Sequence, residues 1–217
     1  MTTYTIQVLN NSGFKKDYVV FSQPPKVTNS GSEVQVFTNA WETFTGILNG
    51  GFDRVDVDEI MNAYWGTAPA QLSPTVMVRQ GGFALVDTAT RDGVTFSNQN
   101  DAVGFGPAQP NLANTGAFQI TANADFVAGN NYVFGLAKPT DTPIPSPVAT
   151  FLAMPNDTFE VIPVVKFYVS DGLYTKGAVI DVKAFSTAPA PIDFTGKPQT
   201  TATVVQLADG TFTVQYT

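Results

Sequence analysis

Cysteine and histidine are both absent from the 217 residues. Without cysteine there are no disulfides, no thiolate nucleophile and no Cys-ligated zinc or iron–sulfur centre, so stability must come from a packed core. Without histidine there is no Ser-His-Asp triad, no two-histidine-one-carboxylate iron site and no histidine-built zinc hydrolase centre. The side chain best suited to moving protons near neutral pH is missing as well. A large part of known enzyme chemistry is thereby excluded.

Charge is scarce too. Charged residues make up 13% of the chain, where about 25% is usual. The 18 acids outnumber the 11 bases, giving a net charge of −7. Only Arg54, Arg79 and Arg91 are arginines. No basic stripe exists to neutralise phosphates, which excludes nucleic acid as a partner and disfavours an anionic membrane surface. No apolar run reaches the length of a membrane-spanning helix. The opening "MTTYTIQVLNN" lacks the basic and apolar regions of a signal peptide, so a native start at Met1 implies the cytoplasm.

What the chain does contain is apolar residues at 43%, enough for a real core at this length. They recur mostly with a period of two. In "TYTIQV", Tyr4, Ile6 and Val8 share one face. "KDYVVFS" is apolar throughout, as expected of a strand covered on both sides. Further runs of this kind are "SEVQVFT", "PTVMVRQ", "FALVDT", "GVTFSN", "GAFQITA", "NYVFGLA", "TFEVIPVVKFYVS" and "GAVIDVKAFS". In the closing "TATVVQLADGTFTVQYT", Asp209-Gly210 between two β-rich runs predicts a tight hairpin. "YTIQV" and "FTVQY" are alike enough to suggest neighbouring strands. The glycines of "NGG" and "QGG" read as turn glycines.

Three stretches offer a turn or two of helix: "NAWETFTGILNG", "DEIMNAYWG" and "ANADFVAGNN". Strands dominate, at roughly ten to twelve, and the spacing of Gly, Asn and Pro punctuation fits a sandwich or barrel. The expected fold is therefore all-β: a single antiparallel sandwich, or a flattened barrel, over residues 1–217, with long Pro-rich loops and little helix. The alternative is two small β domains meeting near 138–147, where "KPTDTPIPSP" has the composition of a linker. Ile144, together with Ile192 and Phe194 from the second Pro-rich stretch, is expected to pack on the body.

"GGFDRVDVDEIMNAYWG" (50–66) collects Asp53, Asp56, Asp58 and Glu59. Calcium loops use closely spaced aspartates, but the EF-hand spacing is not met. A two-residue period explains the acids more simply, with Val55 and Val57 facing in and Arg54, Asp56 and Asp58 lining the wet face of an edge strand. Tyr64 and Trp65, with Trp41 nearby in sequence, supply aromatic faces of the kind that hold sugar rings or flat apolar ligands beside polar groups. As neighbours on a strand they point to opposite faces unless the chain turns at Gly66.

The functional expectation is a non-enzymatic binding module, lectin-like or taking a small apolar or sugar ligand. Trp41, Tyr64, Trp65, Asp58 and Glu59 are its candidate ligand-binding residues, with no catalytic residue, metal ligand or cofactor assigned. A structural or self-assembling β protein is the second reading. A cofactor-free cyclase, isomerase or lyase with a cavity is the third. Partners are limited to a small molecule or glycan, and the oligomeric state is left open.

Overall fold

The computed structural model describes residues 3–99, 102–140 and 142–217. It is all-β: nineteen strands occupy about half of these residues, and no helix forms among them. No helix long and apolar enough to cross a membrane is therefore present among the described residues.

The strands form four sheets, and none closes into a barrel. A four-stranded sheet runs β19 (Phe212–Tyr216), β18 (Thr201–Gln206), β1 (Tyr4–Asn10), β7 (Phe52–Val57). A second four-stranded sheet runs β17 (Ala190–Ile192), β16 (Phe167–Asp171), β2 (Lys16–Ser22), β6 (Glu42–Ile47). The five-stranded sheet is β5 (Phe37–Thr38), β14 (Ser146–Leu152), β13 (Tyr132–Lys138), β8 (Met61–Thr67), β9 (Arg79–Val86). The six-stranded sheet is β11 (Ala102–Phe105), β10 (Gly93–Gln99), β12 (Phe118–Ala122), β15 (Thr158–Ile162), β3 (Lys26–Asn29), β4 (Ser32–Glu33). Pairing is antiparallel except between β1 and β18 and between β10 and β12.

The four sheets in place of two arise because consecutive strands keep changing sheet. After β2, Pro24 and Pro25 supply no N–H for a ladder, and the chain leaves one sheet to enter another as β3. Phe37–Thr38 pairs with β14, yet the Trp41 N–H already bonds to the Val20 carbonyl at 3.0 Å in a different sheet. Asp58 accepts the Ile60 N–H at 3.1 Å, turning the chain from β7 into β8. Pro163 separates β15 from β16 in the same manner. Residues 138–147, by contrast, join β13 to β14, and these two strands pair with each other in one sheet.

One large core draws on all four sheets, including Ile6, Tyr18, Phe118, Phe134, Phe151 and Phe167. Strands β2 and β13 also bury their other faces. Val19 and Phe21 meet Ala40 and Ile180, while Val133 and Ala137 meet Leu72, Val78 and Val179. This double coverage is why those strands read as unbroken apolar runs.

Several local expectations are corrected. "GAVIDVKAFS" makes only bridges at Ala178 and Val179; its apolar side chains roof the outer faces of two sheets instead. "NAWETFTGILNG" and "DEIMNAYWG" contain strands β6 and β8, because each lies against a waiting strand and Thr43 and Thr45 favour the extended form. "QGG" lies within β9, although "NGG" is a turn. β18 lies between β1 and β19, so "YTIQV" and "FTVQY" share a sheet without touching. Ile144 is 53% exposed, whereas Ile192 and Phe194 are buried.

Candidate functional site

β7 is the edge of its sheet, and its two-residue period places Val55 and Val57 inside, with Asp53, Arg54 and Asp56 exposed. The Asp56 carboxylate is held by the Thr5 hydroxyl at 2.8 Å across the strand pair. Facing β7 is the start of β6, and Pro139 and Thr140 after β13 complete a cleft of about 370 Å³. Among the described residues, four carboxylates line it (Glu42, Asp53, Asp56, Asp58) against one arginine, Arg54.

Glu42 is fixed by two bonds. One oxygen lies 2.7 Å from the Lys176 ammonium, and the other accepts the Thr43 N–H at 3.0 Å. Lys138 sits beneath the Asp58–Ile60 turn, only 5% exposed, donating to the Asp58 carbonyl at 3.1 Å. Burial pulls its pKa below the ordinary lysine value, and the nearby Asp58 and Glu59 charges oppose that pull. No group of three or more acidic side chains close enough to hold a metal ion occurs among the described residues.

The candidate aromatic residues do not converge on this cleft. Trp41 has zero exposure and packs on Phe167, ring centroids 5.5 Å apart. Its indole N–H has no hydrogen-bond partner among the described residues, a cost of about 1–3 kcal/mol. Burying an indole of roughly 200 Å² returns about 5 kcal/mol, so the ring stays inside despite the unmade bond.

Tyr64 is likewise fully buried, on the opposite face of β8 from Trp65. Its hydroxyl has no partner, burial pushes its pKa well above the ordinary tyrosine value, and the residue borders a separate cleft of about 220 Å³ with Gln80, Ser146 and Lys176. Trp65 is half-buried against Phe96 and Tyr132. Neither Trp41 nor Tyr64 presents a ring face to solvent. The chain does not turn at Gly66, since β8 continues through Thr67, so the two rings stay on opposite faces. Of the five candidates, Asp58 lines the acidic cleft and Glu59 lies close enough to influence Lys138 beneath it.

The RhiA family matches the chain over residues 1–217. This chain belongs to the RhiA family. No curated protein and no solved structure matches it.

Sequence reasoning missed three parts of this RhiA-family site: Glu42, Lys138 and Lys176. Lys138 and Asp58 are 80 positions apart, and Lys176 and Glu42 are 134 apart. Only the pairing of β13 with β8 and the roofing segment around Lys176 bring them together. Lys138, opening the Pro-rich stretch, was the one visible signal, since a lysine ending an apolar strand run has few ways to reach water. The assembled cleft carries a negative excess beside an apolar wall of Phe44 and Val55. Chemically it can attract cations and accept hydrogen bonds from N–H or O–H donors.

Proposed function

We propose that this RhiA-family protein is a non-enzymatic binding module, and that the acidic cleft holds a small ligand carrying an ammonium group. The observation that carries this reading is the lining, among the described residues, of Asp53, Asp56 and Asp58 against Arg54, with the fourth carboxylate, Glu42, already paired with Lys176. Such a cleft concentrates cations, and its volume lies in the range of small-molecule sites. Asp56 and Asp58 are its contact residues, Glu59 reinforces the field from the rim, and Lys138 positions the Asp58 turn from below.

The reading also takes the four sheets as facing layers of a sandwich-like body. It is supported by β6 lying against β7, β17 against β19 and β9 against β11 at the sheet edges. The cleft then sits at the seam of two layers, where edge side chains reach solvent.

The test is calorimetric titration of the intact protein with 1,4-diaminobutane and glucosamine, beside 1,4-butanediol and glucose as neutral counterparts. Micromolar to millimolar binding is expected for the amines alone, since surface ion pairs are worth only about 0.2–1 kcal/mol each. That binding weakens on going from low to physiological salt. Asp56→Asn and Asp58→Asn each reduce it. Equal binding of the neutral counterparts, or indifference to both substitutions, refutes the proposal.

A further inference from the structure

A second recess lies away from the acidic cleft and has the opposite character. The loops at 68–72 and 129–131, the end of β14 and the segment 34–37 enclose two cavities of about 250 and 210 Å³. Gln71, Leu152 and Met154 line both, so the two form one continuous groove. In a chain of net charge −7, no charged side chain among the described residues lines this groove.

What lines it instead is five side-chain amides: Asn29, Gln35, Gln71, Asn130 and Asn131. Asn29 is committed, donating to Asp157 at 2.6 Å. Gln35, Gln71 and Asn131 have no side-chain hydrogen bond among the described residues. Asn130 accepts the Tyr132 N–H at 2.9 Å through its oxygen, which fixes the amide orientation. Its Nδ2 is then left buried without a partner among the described residues. A buried donor without an acceptor costs about 1–3 kcal/mol, so an incoming acceptor gains that much by satisfying it. Between the amides stand Leu152 and Met154, 45% and 41% exposed.

We propose that this groove binds an uncharged carbohydrate chain. Each amide offers both a donor and an acceptor, matching sugar hydroxyls, which are also both. The apolar C–H faces of the rings would lie on Leu152 and Met154. The lack of charge disfavours ionic ligands, which would lose hydration without a counter-charge. An uncharged peptide is the competing class, and the ligand panel below separates the two. The proposal is independent of the acidic cleft and would stand if that reading failed.

The experiment uses the intact chain and a panel of neutral trisaccharides, with uncharged tripeptides as the competing class, followed by ¹H–¹⁵N spectra of the side-chain amides. At least one trisaccharide should shift the Gln71 and Asn130 amide signals, with an affinity that is unchanged between low and high salt. Asn130→Ala and, separately, Gln71→Ala should each weaken it roughly fivefold to tenfold. Asp56→Asn should leave it unaltered, which separates this site from the acidic one. Far-UV circular dichroism confirms that each variant is folded, and the two independent substitutions guard against one failing to fold. A blank trisaccharide panel, binding by the tripeptides alone, or a strong salt dependence overturns the proposal.

Discussion

Gly81 and Trp65 should form an energetically coupled pair whose sign can be worked from geometry. Trp65 pairs with Gly82 and Gly66 with Gln80, which leaves Gly81 as the extra residue of a bulge in β9. A Cβ built on Gly81 would run into the six-membered ring of the Trp65 indole, and one built on Gly82 would come within 2.7 Å of Nε1. The indole cannot retreat freely, because Phe96 and Tyr132 hold it at centroid separations of 5.4 and 6.0 Å. The two glycines are thus the space into which a tryptophan leans from the next strand.

Gly81 is not in the left-handed region, so its backbone admits alanine. Replacing a strand-interior glycine by alanine ordinarily gains about 0.5–1 kcal/mol. Overpacking against a pinned ring costs about 1–3 kcal/mol. Gly81→Ala should therefore destabilise by up to about 2.5 kcal/mol. In a Trp65→Ala background the obstruction is gone, and the same substitution should stabilise by about 0.5–1 kcal/mol. Urea unfolding followed by far-UV circular dichroism reads all four corners of the cycle, and the coupling energy should be about 1–3 kcal/mol. If Gly81→Ala has the same effect with and without the indole, the reasoning fails.

Two further outcomes follow from buried groups. In Trp65→Phe the remaining tryptophan is Trp41, fully enclosed, so acrylamide should quench the emission far less than in the parent; equal quenching would place Trp41 at the surface. Lys138 has a depressed pKa because of burial. Between its folded pKa and the ordinary 10.5, the unfolded chain binds more protons than the folded one, so this group's contribution to stability rises with pH in that window. The stability of Lys138→Met relative to the parent, measured by urea unfolding from pH 7 to 10.5, should therefore fall as pH rises, and a pH-independent difference would refute the assignment.

The sequence pattern was most informative where one face of a strand decides everything. Ile6 and Val8 in β1, and Val55 and Val57 in β7, are buried as their two-residue period requires. The Asp209-Gly210 turn sits between β18 and β19 as expected, with Gly210 at φ 85°. The pattern failed where a neighbour, not the strand itself, decides. "NAWETFTGILNG" could wind or extend on its own terms, and only Val19 and Val20 across the ladder make it β6. Gly81 and Gly82 resemble turn residues until the indole that fills their missing side chains is in place.

The same distinction explains where the candidate residues lie. Local alternation puts Asp58 on the wet side, and it lines the cleft from the turn that follows β7, where its side chain accepts the Ile60 N–H. The aromatic residues were assigned to a ligand by chemical type alone, and type cannot tell a stacking platform from a core residue. What decides between them is whether another layer arrives. Over Tyr64 it does, since Leu72, Val78 and Val179 come from two segments that follow it in sequence and fold back over β8. Over Asp56 it does not. A site on this fold is accordingly best sought where a strand edge or loop is left uncovered by the roofing segments 68–78 and 173–185. The acidic cleft meets that condition through the uncovered edge of β7. The amide groove meets it at the margin of the first roof, where Gln71 and Leu72 end the cover and the half-exposed Leu152 and Met154 begin.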